Sequence, residues 1–232
     1  MVIYNNYVII YDMLEVIWVN KEENVIRYYV LCNKLKNIIR TGWTDWHVDR
    51  DRLESVAEHI YGVQMLAIVM NSEYNYDIDI MKVIMMLAVH ELEEIYIGDI
   101  PVTAKEHKDK DEAGHEAVAK VLSGLLDKDK IKNLILEFDE RKTNEAKFAY
   151  HCDKLECDLQ SRLYDEEGCV DLNNQDGNYS MGNSDVIELL GSGMSWSEMW
   201  LTFGQRRYNY DDNFMAVSNY AKTHKISKYR DM

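Results

Sequence analysis

The chain has 232 residues, with 26 basic and 41 acidic side chains and a formal net charge of −15. Hydrophobic residues make up 47% and aromatics 11%, which supplies a sizeable core and excludes a disordered chain. The acidic balance disfavours a grip on long nucleic acid, which needs Lys and Arg against phosphate, but leaves room for a small phosphorylated ligand in a local pocket.

The first 19 residues, MVIYNNYVIIYDMLEVIWV, are apolar, are interrupted by Asn5, Asn6, Asp12 and Glu15, and carry no basic residue before Lys21. That pattern is neither a signal peptide nor a clean membrane span. Residues 7–19 are predicted as a helix docked on the body or on a second subunit, inside an extension covering 1–23. A start at Met13 stays open. Helical spacing predicts helices over 25–39 and 54–71, the second with Val56, Ile60, Val63, Leu66 and Met70 in one stripe. Residues 79–96 are too apolar for a surface helix and are placed at the centre as one helix, stopped by Gly98 and Pro101. Helices over 104–126, 128–140 and 143–166 follow. Residues 170–183 read as a polar loop, and two or three short helices close the chain, one with Ser195 and Glu198 as a capping box. With one proline, 11 glycines and no period-two run, the fold class is all-α: a single helical bundle with extra N- and C-terminal helices. Its core spans 24–168, with a loop and helices over 169–232 packed on it. Cys32, Cys152, Cys157 and Cys169 form no CxxC pair, so they read as reduced thiols in a cytoplasmic protein.

The central helix carries His90, Glu91, Glu93 and Glu94 near its end. Polar groups in so apolar a helix are costly to bury unpaired, and His90 and Glu94, four apart, are expected to share a face. The zinc-protease pattern HExxH fails, because Glu94 stands where its second histidine belongs. One helix supplies too few ligands for a metal, so His59 and Asp153, from two other helices, are the candidate partners. Two imidazoles and two carboxylates suit Mn, Fe, Co, Ni or Zn better than Ca or Mg. Glu93 is expected to face solvent or a lysine, and His115 to lie on a solvated helix face. Trp196 and Trp200, at i and i+4, are expected to pack on each other.

RTGW (40–43), RLESVAEH (52–59), VHELEEIYIGDIP (89–101) and NEAKFAYHCDKLECDLQ (144–160) resemble, in order and spacing, the motifs of HD-domain metal-dependent phosphohydrolases. The likeness spans about 35–166 and points to the compact 5′-deoxynucleotidase branch. It implies His59, His90, Glu91 and Asp153 as ligands of a divalent metal, with a His-Glu doublet where that family carries His-Asp. It implies Glu94 and Asp99 as the acidic pair that activates water and protonates the leaving group, the two labels being interchangeable. Arg40 and Trp43 would line the nucleotide pocket, with Lys105 as a weaker phosphate contact. The implied reaction is removal of the 5′-phosphate from (deoxy)nucleoside monophosphates, with a homodimer as the implied assembly and no membrane partner. A (deoxy)nucleoside triphosphate hydrolase is the alternative enzyme; it would need more basic groups than Arg40, Arg52 and Lys105. A non-catalytic nucleotide-binding protein is the alternative outside enzymes.

Overall fold

The chain was described from a computed structural model, which covers residues 2–4, 7–12, 15–100, 107–230 and 232. The N-terminal extension is built of strands, which corrects the helix expected over 7–19. β1 (Val2–Tyr4), β2 (Tyr7–Asp12) and β3 (Glu15–Asn20) form an antiparallel meander in the order β1-β2-β3. The register pairs Tyr4 with Tyr7 and Asp12 with Glu15, so two residues separate each pair of strands. A run of Val, Ile, Tyr and Trp satisfies a helical stripe and a pleated ribbon alike, and β-branched and aromatic side chains favour the ribbon.

From Asn20 onward the fold is helical. α1 (Lys21–Cys32) starts at Asn20, whose side chain accepts from the Glu23 N–H. It stops earlier than the expected 25–39 helix. A 3-10 turn covers Asn33–Asn37, and Ile38 is extended. The Val56 N–H donates to Ile38 O (2.9 Å) and the Arg40 N–H to Glu54 O (3.0 Å), so residues 38–40 run as a short tether beside residues 54–56. Arg40 is thereby fixed next to the start of α3, and α2 (Thr41–Asp45) follows it.

α3 (Val56–Tyr74) opens on a capping box between Ser55 and Glu58. Its buried stripe is Val56, His59, Val63, Ala67 and Met70, so helical spacing carries His59 into the core along with four apolar residues. α4 (Ile80–Val89) is capped by Asp79 and ends at His90. The single helix expected over 79–96 is broken here. Leu92 N–H reaches Val89 O (3.3 Å) and Glu94 N–H reaches Glu91 O (3.2 Å), i→i+3 bonds that tighten the chain. α5 (Glu94–Ile97) then runs to Gly98, whose φ of 75° ends it. Four residues cover more rotation in a 3-10 turn than in an α-helix, so His90 and Glu94 do not stack on one helix face.

α6 (His107–Leu122), α7 (Lys128–Glu140) and α8 (Asn144–Glu166) complete the motif-bearing part. α9 (Ser184–Gly191), α10 (Trp196–Arg207) and α11 (Asp212–Thr223) close the fold, and the Ser195–Glu198 capping box starts α10 as expected. Three buried clusters hold the helices together. Val63, Met86, Leu87, Phe148 and Leu155 lock α3, α4 and α8. Val89, Leu92, Val121 and Ile135 join α4 to α6 and α7. Trp43, Trp46, Tyr164 and Trp196 tie α2 and α8 to α10. Pro101 and Lys105 lie outside the described residues.

Candidate metal centre and its cavity

α3, the end of α4 and α8 bring His59, His90, Glu91 and Asp153 to one point. One ligand atom from each lies within 4.8 Å of all the others. His59 Nε2 is 3.1 Å from Asp153 Oδ1 and 3.8 Å from Glu91 Oε1; His90 Nε2 is 3.4 Å from Glu91 Oε1 and 3.9 Å from Asp153 Oδ1. The longer side chain of Glu91 therefore reaches the place where the two imidazoles converge.

The tautomers test whether these residues fit a cation. His90 Nδ1 donates to Leu87 O (2.8 Å), which leaves Nε2 as the lone-pair nitrogen of a neutral ring. Burial lowers the His90 pKa, partly offset by Glu91 and Asp153, so the neutral ring is favoured. Its Nε2 is buried, has no hydrogen-bond partner and points at two carboxylates. A lone pair facing carboxylate oxygens is satisfied by a divalent ion between them. His59 is oriented by its other nitrogen: Nδ1 donates to Glu156 Oε2 (2.6 Å). Burial and Arg40 push the His59 pKa down, but Glu156 and Asp153 outweigh them and raise it to about 10. A proton on His59 thus answers the same negative charge that a metal would answer. Burial raises the Asp153 pKa, yet Lys154, His59 and His90 hold it well below the usual carboxylate range. Glu91 is likewise held low, against burial, by His90 and Arg40. Gly62 makes the Glu156 contact possible, since a Cβ there would meet Glu156 Oε1 at 2.5 Å.

A cavity of about 430 Å³ opens beside this cluster. Arg40 lines it, with its Nη1 3.5 Å from Glu91 Oε1 and 3.8 Å from Asp99 Oδ1. Asp99 also accepts from the Thr41 N–H, and its carbonyl accepts from Thr41 Oγ1 (2.7 Å). Glu94 is buried and lines the same cavity. Glu93 lines it too, beside Gly114, so of the two surroundings expected for it, solvent or a lysine, solvent does not hold. His115 is exposed as expected, stands 3.5 Å from Asp139 Oδ2, and borders the cavity. Arg52 is elsewhere, paired with Glu58 and largely in solvent. Trp43 faces the cavity but is 1% exposed, and its indole N–H donates to Glu54 Oε2 (2.9 Å).

Lys154 and Trp200 are among the cavity residues that escape sequence reasoning. Lys154 places Nζ 2.8 Å from Asp153 Oδ2, on the oxygen turned away from the histidines. Its position directly after Asp153 was the only signal. Trp200 does not simply pack on Trp196: it is partly exposed, lies 5.2 Å from Trp43, and opens into the cavity.

Known proteins bear on the same residues. A family profile described as HD domain matches residues 32–188. The 5′-deoxynucleotidase HDDC2 of Dictyostelium discoideum is 32% identical over 153 residues, covering 62% of this chain and 79% of that protein. Its Bos taurus namesake is 30% identical over 158 residues, covering 66% of this chain and 72% of that protein. A solved structure from Magnetospirillum magnetotacticum, described as a predicted metal-dependent phosphohydrolase, shares the fold. It superposes with a TM-score of 0.59 at 21% identity, over 90% of this chain and 97% of that one. The helical bundle that follows the N-terminal strands and the matched segment together identify the class: this chain belongs to the HD domain family.

Proposed function

We propose that this protein is a metal-dependent phosphohydrolase that removes the 5′-phosphate from deoxynucleoside monophosphates. The observation that carries the reading is the group of buried His59, His90 and Asp153 with half-buried Glu91, the His90 Nε2 lone pair turned toward carboxylates and without a hydrogen-bond partner. The relatives named 5′-deoxynucleotidase support the substrate class.

These four residues would hold a divalent ion, with Mn, Co, Zn, Fe or Ni favoured over Mg by the mixed nitrogen and oxygen donors. Such an ion supplies Lewis-acid polarisation of a phosphoryl oxygen and lowers the pKa of water. The chain's own residues do the rest. Arg40 neutralises phosphate charge through its guanidinium. Lys154, kept protonated by Asp153 against burial, adds a second cation on the same side. Glu94 accepts the proton of the attacking water. The water oxygen bonds to phosphorus, the P–O5′ bond breaks toward O5′, and Glu94 returns the proton to that oxygen. A deoxynucleoside and inorganic phosphate result. We assign Asp99 to holding Arg40, because its oxygens face Arg40 and the Thr41 N–H. Lys105 keeps only its expected role as a phosphate contact.

Lys154 and Arg141 line the cavity as cations not anticipated from sequence, and they favour a second reading, a nucleoside triphosphate as substrate. We also propose a homodimer. Tyr61, Met65, Ile68 and Val69 on α3, with Met81 and Met85 on α4, leave a large apolar face exposed, of the kind a second subunit covers. All four cysteines are free, which fits the cytoplasm, and no helix among the described residues is long and apolar enough to cross a membrane.

The test is a phosphate-release screen of deoxy- and ribonucleoside mono-, di- and triphosphates with Mn, Co, Zn and Mg added in turn. Monophosphate turnover with a transition metal is the expected result. Triphosphate turnover alone selects the second reading, and no turnover with folded protein overturns both.

A further inference from the structure

On the ionisable side of the cavity, Phe138 packs against His90, and the Tyr150 ring lies under the Lys154 and Arg141 cations. A second group of rings lines the cavity beside Arg40. This aromatic side is made by Trp43 from α2 and Trp46 just after it, by Val186 from α9, and by Met199, Trp200 and Phe203 from α10. Trp43 and Trp46 are sealed into the core, whereas Trp200 and Phe203 are only partly buried and open into the cavity. Trp200 is backed by a fixed ring: Trp43 lies 5.2 Å away at an interplanar angle of 33°, and Glu54 holds the Trp43 indole N–H. Gly42, next to Trp43 in the chain, borders the ring edge: a Cβ there would stand 3.5 Å from Trp200 Cη2. Gly42 follows Arg40 by two residues, so the aromatic side begins within a few ångströms of chain from the phosphate contact.

α10 also lies beyond residue 188, where the match to the HD domain ends. The ring that opens into the cavity is therefore supplied by a segment beyond the stretch that the profile matches. Small-molecule sites pair an apolar wall with a few convergent polar groups, and every nucleobase has a π-face that stacks on an exposed indole.

We propose that Trp200, flanked by Phe203, is the platform on which the nucleobase stacks, and that it sets the preference for nucleotides over other phosphate monoesters. The proposal rests on the phosphohydrolase reading above for its substrate, though not for its binding test. Stacking is tolerant of base identity, so the four deoxynucleoside monophosphates should differ in KM by only a few-fold.

The experiment compares deoxynucleoside monophosphates with 2-deoxyribose 5-phosphate, which carries phosphate and sugar but no base. Trp200→Ala should raise KM for the nucleotides about ten- to hundredfold, the scale of one lost base–aromatic stack, and for the sugar phosphate at least fivefold less. Trp200→Phe should recover most of the loss. Equal rises for both substrates, or no rise for the nucleotides, would overturn the platform. Thermal melts check that each variant is folded. A second measurement uses the wild type alone: calorimetric titration with deoxyadenosine and deoxycytidine should show binding, with 2-deoxyribose silent at the same concentrations. If neither nucleoside binds, the platform is refuted whatever the variants do. If nucleosides bind but no phosphate ester is turned over with any metal, the platform stands and the phosphohydrolase reading fails.

Discussion

The two sides of the cavity are rigid for different reasons. On the ionisable side each group is held by a second polar group: His59 by Glu156, His90 by the Leu87 carbonyl, Asp153 by Lys154, and Arg40 by Asp99. On the aromatic side the rings hold one another, with Trp43 against Tyr164, Trp196 and Trp200, and polar ties gathered at Glu54, whose carboxylate accepts from the Trp43 indole and whose N–H donates to the Tyr164 hydroxyl. A polar network fails when one member is removed, because a buried partner is left unsatisfied; a ring stack loses packing in proportion to what is cut away. The ionisable side should therefore respond to single substitutions far more steeply than the aromatic one.

The largest effect is expected at Asp153, whose Oδ1 approaches both histidines. Asp153→Ala should remove the bound metal and lower kcat/KM by about a thousandfold or more, the scale of losing a transition-state charge stabiliser. Elemental analysis and steady-state kinetics read the two effects, and retention of both would break the contrast at its strongest point. Glu91 comes next. Glu91→Ala should cost about a hundredfold in activity, while Glu91→Asp should preserve or raise it. Indifference to the alanine would show that the glutamate is no ligand.

Smaller effects sharpen the picture. Glu156→Gln keeps an oxygen for His59 Nδ1 but removes its charge, and should weaken metal binding by about 10–100-fold in a competition titration with a chelator. An unchanged affinity would reduce Glu156 to packing. The smallest effect belongs to Glu54, where the two sides meet. Burial and the neighbouring Glu156 push its pKa up to about 8. The folded chain thus keeps a proton that the unfolded chain releases near pH 4.3. This contribution is complete below that pH and is lost as pH rises through about 8. Glu54→Gln should melt with a flatter pH dependence between pH 5 and 9, by roughly 2–4 °C for each kcal/mol removed. Parallel curves for the two proteins would place the ionisation elsewhere.

The ionisable side was largely legible in the sequence. His59 sits at helical spacing within an apolar stripe, and His90, Glu91 and Asp153 stand in motifs whose order is enough to bring them together. The break between α4 and α5 was not legible, because residues 80–97 are apolar on both sides of it and hold neither glycine nor proline. The N-terminal strands were missed for a related reason: composition alone does not separate a β-branched ribbon from a buried helix. Lys154 and Trp200 owe their places to tertiary contacts. Nothing in the spacing of Trp196 and Trp200 says that one indole is sealed and the other opens beside Arg40.

Gly62 carries a last consequence. It has no functional group and is not among the four residues that would hold the metal, yet it leaves Glu156 the room to reach His59. Adding a single methyl there would crowd the carboxylate whose job is to aim the imidazole. The site thus leans in part on the residue with the least chemistry: a methyl at Gly62 would make the end of the Glu156 side chain shift, and a mutational scan would score it no higher than Glu156→Gln.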